Sequence, residues 1–150
     1  LTVLKFKKSM KKYNLSMNIR PVKKSDSIFL YNLLEERDSK TNISHKKMPT
    51  MKQHEKFIQS KPYSKWYIIE NLGQDVGSIY LSKNNEIGVF VIRKNQNKGI
   101  GVNAFKLLME KNPRIRYLAN LNPKNKESMK FVKKCGFKLI QHTYELKNDN

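Results

Sequence analysis

The sequence predicts an α/β chain of the α+β kind, built on a mixed and mostly antiparallel central sheet with flanking helices. Three observations carry this. Residues 65–70, 75–82 and 86–92 are successive strand patterns rich in β-branched and aromatic side chains. Short turn signals, Asn71-Leu72-Gly73 and Asn84-Asn85, separate them, so they fold back on one another as a meander. Helical patterns lie before and after this block.

At 150 residues the chain is long enough for one domain with its own core. Residues 1–16 carry five lysines and no acid and read as a basic arm or an upstream extension, with Met17 an alternative start. Residues 17–150 read as the domain. Strand 1 is expected over 18–22, and Ser25 is expected to cap a helix reaching about Glu36 with Ile28, Phe29, Leu33 and Leu34 inward. Residues 38–49 read as loop. Thr50-Met51-Lys52-Gln53 has the form of a capping box and starts a helix through Gln59, with Phe57 and Ile58 packed. After the meander a helical pattern covers 102–110, Pro113 marks a break, and 115–121 reads as another strand. A helix over 126–134 ends at Gly136, and 137–140 with 142–146 close the sheet.

Composition excludes several classes. The lone Cys135 permits no disulfide within the chain and reads as a small buried hydrophobe. Three histidines without a Cys/His cluster at ligand spacing argue against a metal site. No apolar run is long enough to span a bilayer and no signal-peptide pattern opens the chain, so a cytoplasmic setting is expected. A net charge of +19 and a pI near 10.0 suit nucleic acid at first sight. Against that, only Arg20, Arg37, Arg93, Arg114 and Arg116 of the 31 cationic residues are arginines, so bidentate phosphate forks are scarce.

The most informative stretch is Gln96-Asn97-Lys98-Gly99-Ile100-Gly101, between a strand pattern and a helical one. Such a turn points several backbone N–H groups at one spot, and the helix dipole adds positive potential there. Gly99 and Gly101 lack a Cβ and let a phosphate approach the main chain, and Lys98 adds a charge. Downstream runs Asn122-Pro-Lys-Asn125-Lys-Glu-Ser128-Met-Lys-Phe131-Val-Lys-Lys-Cys-Gly136-Phe137. Gln-x-x-Gly-x-Gly followed by Asn-x-x-Ser-x-x-Phe-x-x-x-x-Gly-Phe resembles motifs A and B of the GNAT superfamily of acetyl-CoA-dependent N-acetyltransferases. The opening Met17-Asn-Ile-Arg-Pro-Val-Lys-Lys-Ser-Asp26 is similar to the first strand and helix start of these enzymes, and the resemblance covers about residues 18 to 146.

The resemblance implies a GNAT fold in which two strands splay apart and acetyl-CoA enters the gap. It implies that main-chain groups of Val89, Phe90 and Val91 meet the pantetheine arm, one N–H polarising the thioester carbonyl. The loop Gln96–Gly101 and the N–H of Val102 would hold the pyrophosphate, and Asn125 would contact the cofactor or cap its helix. The phosphates of acetyl-CoA account for part of the basic charge without a polynucleotide. The partners expected are acetyl-CoA and a small amine, with the chain a monomer or homodimer.

Two positions depart from the family. Many members carry a tyrosine seven residues after the motif B asparagine to protonate the leaving thiolate; Val132 stands there. Those that acetylate a ribosomal protein's N-terminal alanine carry a glutamate base five residues before it; Asn120 stands there. Losing the acid costs about 10²-fold, because thiolates leave tolerably as anions. Glu86, on the motif A strand, and His54, with a pKa range suited to a base, are the candidate bases. Gln53-His54-Glu55-Lys56-Phe57 resembles a segment of N-acetyltransferases acting on nucleotide-linked amino sugars of the pseudaminic-acid type. Trp66 and Tyr144 would form an aromatic wall for a sugar ring. The expected activity is transfer of acetyl to the amino group of such a sugar. Acetylation of a protein N-terminus or small amine is the alternative, and a catalytically silent basic binding module the alternative of another class.

Overall fold

The computed structural model describes residues 16–37 and 47–148. The basic arm read over residues 1–16 lies outside them but for Ser16, and so does most of the 38–49 loop. Four strands, β1 (Met17–Pro21), β2 (Lys65–Asn71), β3 (Gln74–Leu81) and β4 (Ile87–Val91), form one antiparallel sheet in that spatial order. The helices are α1 (Ser27–Glu35), α2 (Met51–Gln59), α3 (Ile100–Lys111) and α4 (Lys126–Lys134).

Alternation along β2 creates two cores, because successive side chains point to opposite faces. Tyr67 and Ile69 join Ile19, Val76, Ile79, Leu81, Val91 and the α3 residues Ile100, Ala104, Phe105 and Leu108 on one face. Ile68 joins Leu30 and Leu33 of α1 and Ile58 of α2 on the other. The turns sit where expected. Leu72 and Gly73 both adopt left-handed φ, 52° and 76°, the pairing that matches strand twist in a two-residue hairpin. Asn85, at φ 63°, turns β3 into β4.

Helix ends follow local chemistry. Thr50 Oγ1 accepts from Gln53 N at 3.2 Å while Gln53 Oε1 accepts from Thr50 N at 2.9 Å, a reciprocal box that starts α2. Beyond α4, Phe137 N donates to Val132 O and Gly136 N to Lys133 O, both at 3.0 Å, closing a Schellman motif with Gly136 at φ 91°. α1 departs from expectation. A 3-10 turn over Lys24–Asp26 precedes it, Ile28 is 66 % exposed, and Leu30 takes the core place beside Leu33. Just before the helix, the Asp26 carboxylate is held inward by Arg20.

That contact belongs to a network across three strands. Arg20 grips Asp26 with two bonds of 2.9 Å, donates Nε to Glu70 Oε1 at 2.9 Å, and donates Nη2 to Asp75 Oδ2 at 3.0 Å. Burial pushes the Asp26 carboxyl up, but the guanidinium and the Lys23 N–H, 2.7 Å away, outweigh it and hold the group below its ordinary value.

The sheet ends sooner than the sequence suggests. Residues 115–121 meet β4 at a single parallel bridge, Glu86 with Leu118, and Ile115 is fully exposed. The expected strands 137–140 and 142–146 do not form; Leu139, Ile140, Tyr144 and Leu146 are 67–91 % exposed. The residue pattern suits strands, but a strand also needs an edge to pair with, and none reaches this segment among the described residues.

Asp26 is charged in the fold and depressed in pKa, so its contribution is present above the unfolded carboxyl pKa and fades as pH falls through the folded value. Asp26→Asn should therefore cost about 2 kcal/mol at neutral pH, and the gap to the parent should narrow in acid. Urea titrations at several pH values check this.

Candidate active site

β4 borders a gap. On one edge it pairs with β3; on the other, among the described residues, only Ile87 N, donating to Leu118 O, and Leu118 N, donating to Asn85 O, bridge it, both at 2.8 Å. Beyond that bridge the neighbouring segment diverges. In an antiparallel ladder, main-chain groups point alternately to the two sides. Ser82 N to Glu86 O and Ile92 N to Val76 O mark the even residues as facing β3. Val89 and Val91 therefore present their groups to the gap, and Phe90 turns its own to β3 and lines the cavity by its ring.

The glycine loop follows. Gln96 Nε2 donates to Val91 O at 2.9 Å and ties the loop to the end of β4. Asn97 and Gly99 take left-handed φ of 61° and 77°, and Lys98 is exposed. Gly99 caps α3 without a side chain, and a Cβ there would meet nothing within 4 Å. The helix thus opens with N–H groups that its N-cap residue does not satisfy by a side chain. Gly101 has a different reason. A Cβ there would sit 3.0 Å from Phe131 Cε2, so it is small to let α4 pack against α3. Ile100 is core at 5 % exposure, and Val102 lies in the first turn. Asn125 accepts from Ser128 N at 3.1 Å, capping α4, and also lines the cavity.

A cavity of about 640 Å³ runs from this gap to the α1/α2 face of the sheet. Its walls include Phe57, Tyr63, Trp66 and Tyr80. Tyr63 stacks on Tyr80 with centroids 3.9 Å apart and planes 9° from parallel, and Trp66 meets Tyr63 edge-on at 5.0 Å. Trp66 Nε1 donates to the buried Ser78 Oγ at 2.8 Å, which fixes the indole. Tyr80 lies over Gly88, and any Cβ at Gly88 would collide with the ring, so the glycine makes room for the aromatic wall. Burial raises the Tyr63 phenol to about 12 and raises Tyr80 as well. Tyr144, 90 % exposed beside His142, does not line this cavity.

Of the candidate bases, Glu86 is held by both oxygens. Oε1 accepts from Asn120 Nδ2 at 2.8 Å and Oε2 from Ser82 Oγ at 3.2 Å. It is half-buried beside the bridge that closes the gap, and its charge raises the Tyr80 phenol. His54 lines the cavity but is only 6 % exposed, and its Nε2 lies 3.1 Å from Ser27 O. A carbonyl only accepts, so Nε2 is the protonated nitrogen there. Its ring meets Tyr31 edge-on at 5.3 Å, the surroundings of a helix-packing histidine.

Sequence reading missed Tyr63, Ser78, Tyr80 and Arg37 on the cavity wall. Ser78 and Tyr80 share a face of β3 with their partners Phe90 and Gly88, so the period of two would have found them once the meander register was known. Asn120, which stands where the resemblance would put a glutamate, holds one by its amide.

Among the described residues no group of three or more His, Cys, Asp or Glu is placed to hold a metal, and no helix is long and apolar enough to cross a membrane. A search of curated protein sequences finds no match. Solved structures do resemble the chain. A domain from Methanocaldococcus jannaschii superposes with TM-score 0.73 at 24 % identity, over 86 % of this chain and 92 % of its own. RimL, a ribosomal L7/L12 alpha-N-protein acetyltransferase solved with coenzyme A, gives 0.69 at 16 % identity, over 85 % and 83 %. The dodecameric spermidine N-acetyltransferase from Vibrio cholerae gives 0.66 at 16 % identity, over 86 % and 83 %. At these identities the likeness is one of fold. The family model for the acetyltransferase (GNAT) domain matches residues 16–138, so the chain belongs to that family and is an acetyl-CoA-dependent N-acetyltransferase.

Proposed function

We propose that acetyl-CoA lies in the gap beside β4 and that its acetyl group passes to the amino group of a nucleotide-linked amino sugar. The pantetheine arm would pair with the outward groups of Val89 and Val91. Residues Gln96, Asn97, Lys98, Gly99, Ile100, Gly101 and Val102 would carry the pyrophosphate at the uncapped start of α3, with Asn125 on the facing helix.

One observation supports this acceptor above the others, namely the make-up of the cavity wall. Eight Phe, Tyr and Trp side chains line it, no Asp or Glu does, and Arg37 is the one Lys or Arg side chain that does among the described residues. Such a wall offers stacking to a sugar ring, and the one carboxylate assigned a role beside it, Glu86, is a single counter-charge where a polyamine carries several cations, which disfavours a polyamine. Acetylation of a peptide or small amine is the competing reading, and a panel of UDP- and dTDP-amino sugars, spermidine and short peptides separates the two.

Acetyl-CoA supplies the acetyl group as a thioester, and the acceptor nitrogen attacks the carbonyl carbon as the C–S bond breaks. The Val89 N–H faces the gap and is suited to stabilise charge on the carbonyl oxygen. Glu86, oriented by Asn120 and Ser82, would take the amine's proton directly or through one water. Val132 on the cavity wall has no proton to give, so the thiolate departs as the anion or is protonated by water or substrate.

Two tests follow from these roles. Gly99→Glu places a carboxylate where phosphate would bind, and Gly99→Ala controls for the strain of a side chain at φ 77°. Coenzyme A should raise the Tm of the parent and of Gly99→Ala but not of Gly99→Glu; equal shifts in all three would remove the loop from the site. Glu86→Gln should lower kcat/KM by about 10²-fold at neutral pH, with the deficit shrinking at high pH as free amine becomes abundant. A pH–rate profile altered by His54→Ala and untouched by Glu86→Gln would move the base to the histidine.

A further inference from the structure

We infer that Arg37 is the specificity residue of the acceptor pocket, a fixed anion anchor that takes the phosphate of the acceptor while its amine lies toward Glu86. This rests on the reading of the aromatic cavity as the acceptor site and adds which residue selects the substrate.

Only five of the chain's 31 cationic side chains are arginines, and the described ones are otherwise occupied or peripheral. Arg20 is spent on three carboxylates. Arg93 donates Nη2 to Glu36 O at 2.9 Å and Arg114 donates Nη1 to Pro113 O at 3.0 Å. Arg116 is exposed. Arg37 is half-buried on the cavity wall, its guanidinium 5.9 Å above the Phe90 ring, and no described carboxylate or carbonyl bonds it.

Its neighbour Glu36 does not neutralise it. That carboxylate accepts from Arg93 N at 2.9 Å, while the Glu36 carbonyl takes the Arg93 side chain. The double clasp pins the end of α1 to the turn after β4. Arg37 therefore leaves the backbone from a fixed point, and its guanidinium lies within cation–π reach of Phe90. A half-buried cation beside aromatic rings with no carboxylate from the described residues is open to an anion, and the five-donor fork matches a phosphate bidentately.

The electrostatics agree with a dipolar ligand. Tyr80, raised first by burial, is lowered by Arg37 and raised by Glu86, so both opposite charges act on one phenol. A ligand lying beside the stacked Tyr63–Tyr80 pair would meet the fields of both the Arg37 cation and the Glu86 carboxylate.

The test uses the intact protein saturated with coenzyme A. UDP and dTDP are titrated by calorimetry into the parent, Arg37→Met and Arg37→Lys. Turnover is then compared on a UDP-amino sugar, glucosamine 6-phosphate and glucosamine. Arg37→Met should weaken UDP or dTDP binding by about 10- to 100-fold and raise KM for the phosphorylated acceptors alike. Glucosamine, which offers the guanidinium no anion, should lose far less, and Arg37→Lys should recover part of the binding. Coenzyme A shifts the Tm of each variant if it is folded. Equal losses on phosphorylated and unphosphorylated acceptors would reduce Arg37 to packing on Phe90, and unchanged UDP and dTDP affinity would remove the anchor; either leaves the amino-sugar reading standing. A parallel loss of coenzyme A affinity would assign Arg37 to the other ligand and overturn the anchor. A parent that ignores every phosphorylated acceptor yet acetylates spermidine or a peptide would overturn the acceptor reading and the anchor with it.

Discussion

The single bridge at Leu118 governs everything else in this molecule. An interior strand normally satisfies its main chain on both edges, and β4 does so on only one. Because residues 115–121 touch it once and then part, the outward groups of Val89 and Val91 border a gap. The start of α3 follows directly from β4 through the glycine loop, which Gln96 ties to Val91 O. Closing the bridge along its length would give a better sheet and no site. The polar cluster of Glu86, Asn120 and Ser82 sits at the hinge of this divergence, where the two segments are still close enough to share hydrogen bonds.

Packing around β4 is correspondingly uneven. On the α3 face the sheet is covered by a continuous core from Ile19 to Leu108. On the other face Leu30, Leu33, Ile58 and Ile68 form a smaller core that stops short of the meander's far side. There the wall is made of rings, with Trp66 fixed by Ser78 and Tyr80 laid over Gly88. Rigid aromatics hold a cavity open at little entropic cost, since each has few torsions to restrain. The Arg20 network ties β1, β2, β3 and the entry to α1 on the opposite side of the sheet from the gap-bearing edge. It anchors the frame while β4 stays half paired.

Local signals in the sequence were reliable where short-range chemistry decides. Thr50 and Gln53 cap α2, Gly136 ends α4, and the two turns of the meander sit where Leu72-Gly73 and Asn85 put them. They failed where a partner decides. Ile28 and Leu30 are both acceptable inward residues on a helical wheel, and the structure buries Leu30 against Leu33, Ile58 and Ile68 while Ile28 is exposed. Residues 137–146 have the composition of strands, yet pairing is a property of two segments and no described edge meets them. Tyr144, placed by pattern on an aromatic wall, is exposed for the same reason.

By itself the sequence determined the order of elements, the meander, the glycine loop between β4 and α3, and the motif pair that marks the family, because each depends on residues close together in the chain. Tertiary structure alone decided which groups face the gap, that Gly101 serves Phe131, and that Gly88 serves Tyr80. It also decided that Glu86 is gripped by Asn120 and that Arg37 stands among the rings without a carboxylate from the described residues. These are contacts between residues tens of positions apart. Their energy depends on register, on the phase of a helix and on where two segments separate, none of which a linear pattern encodes.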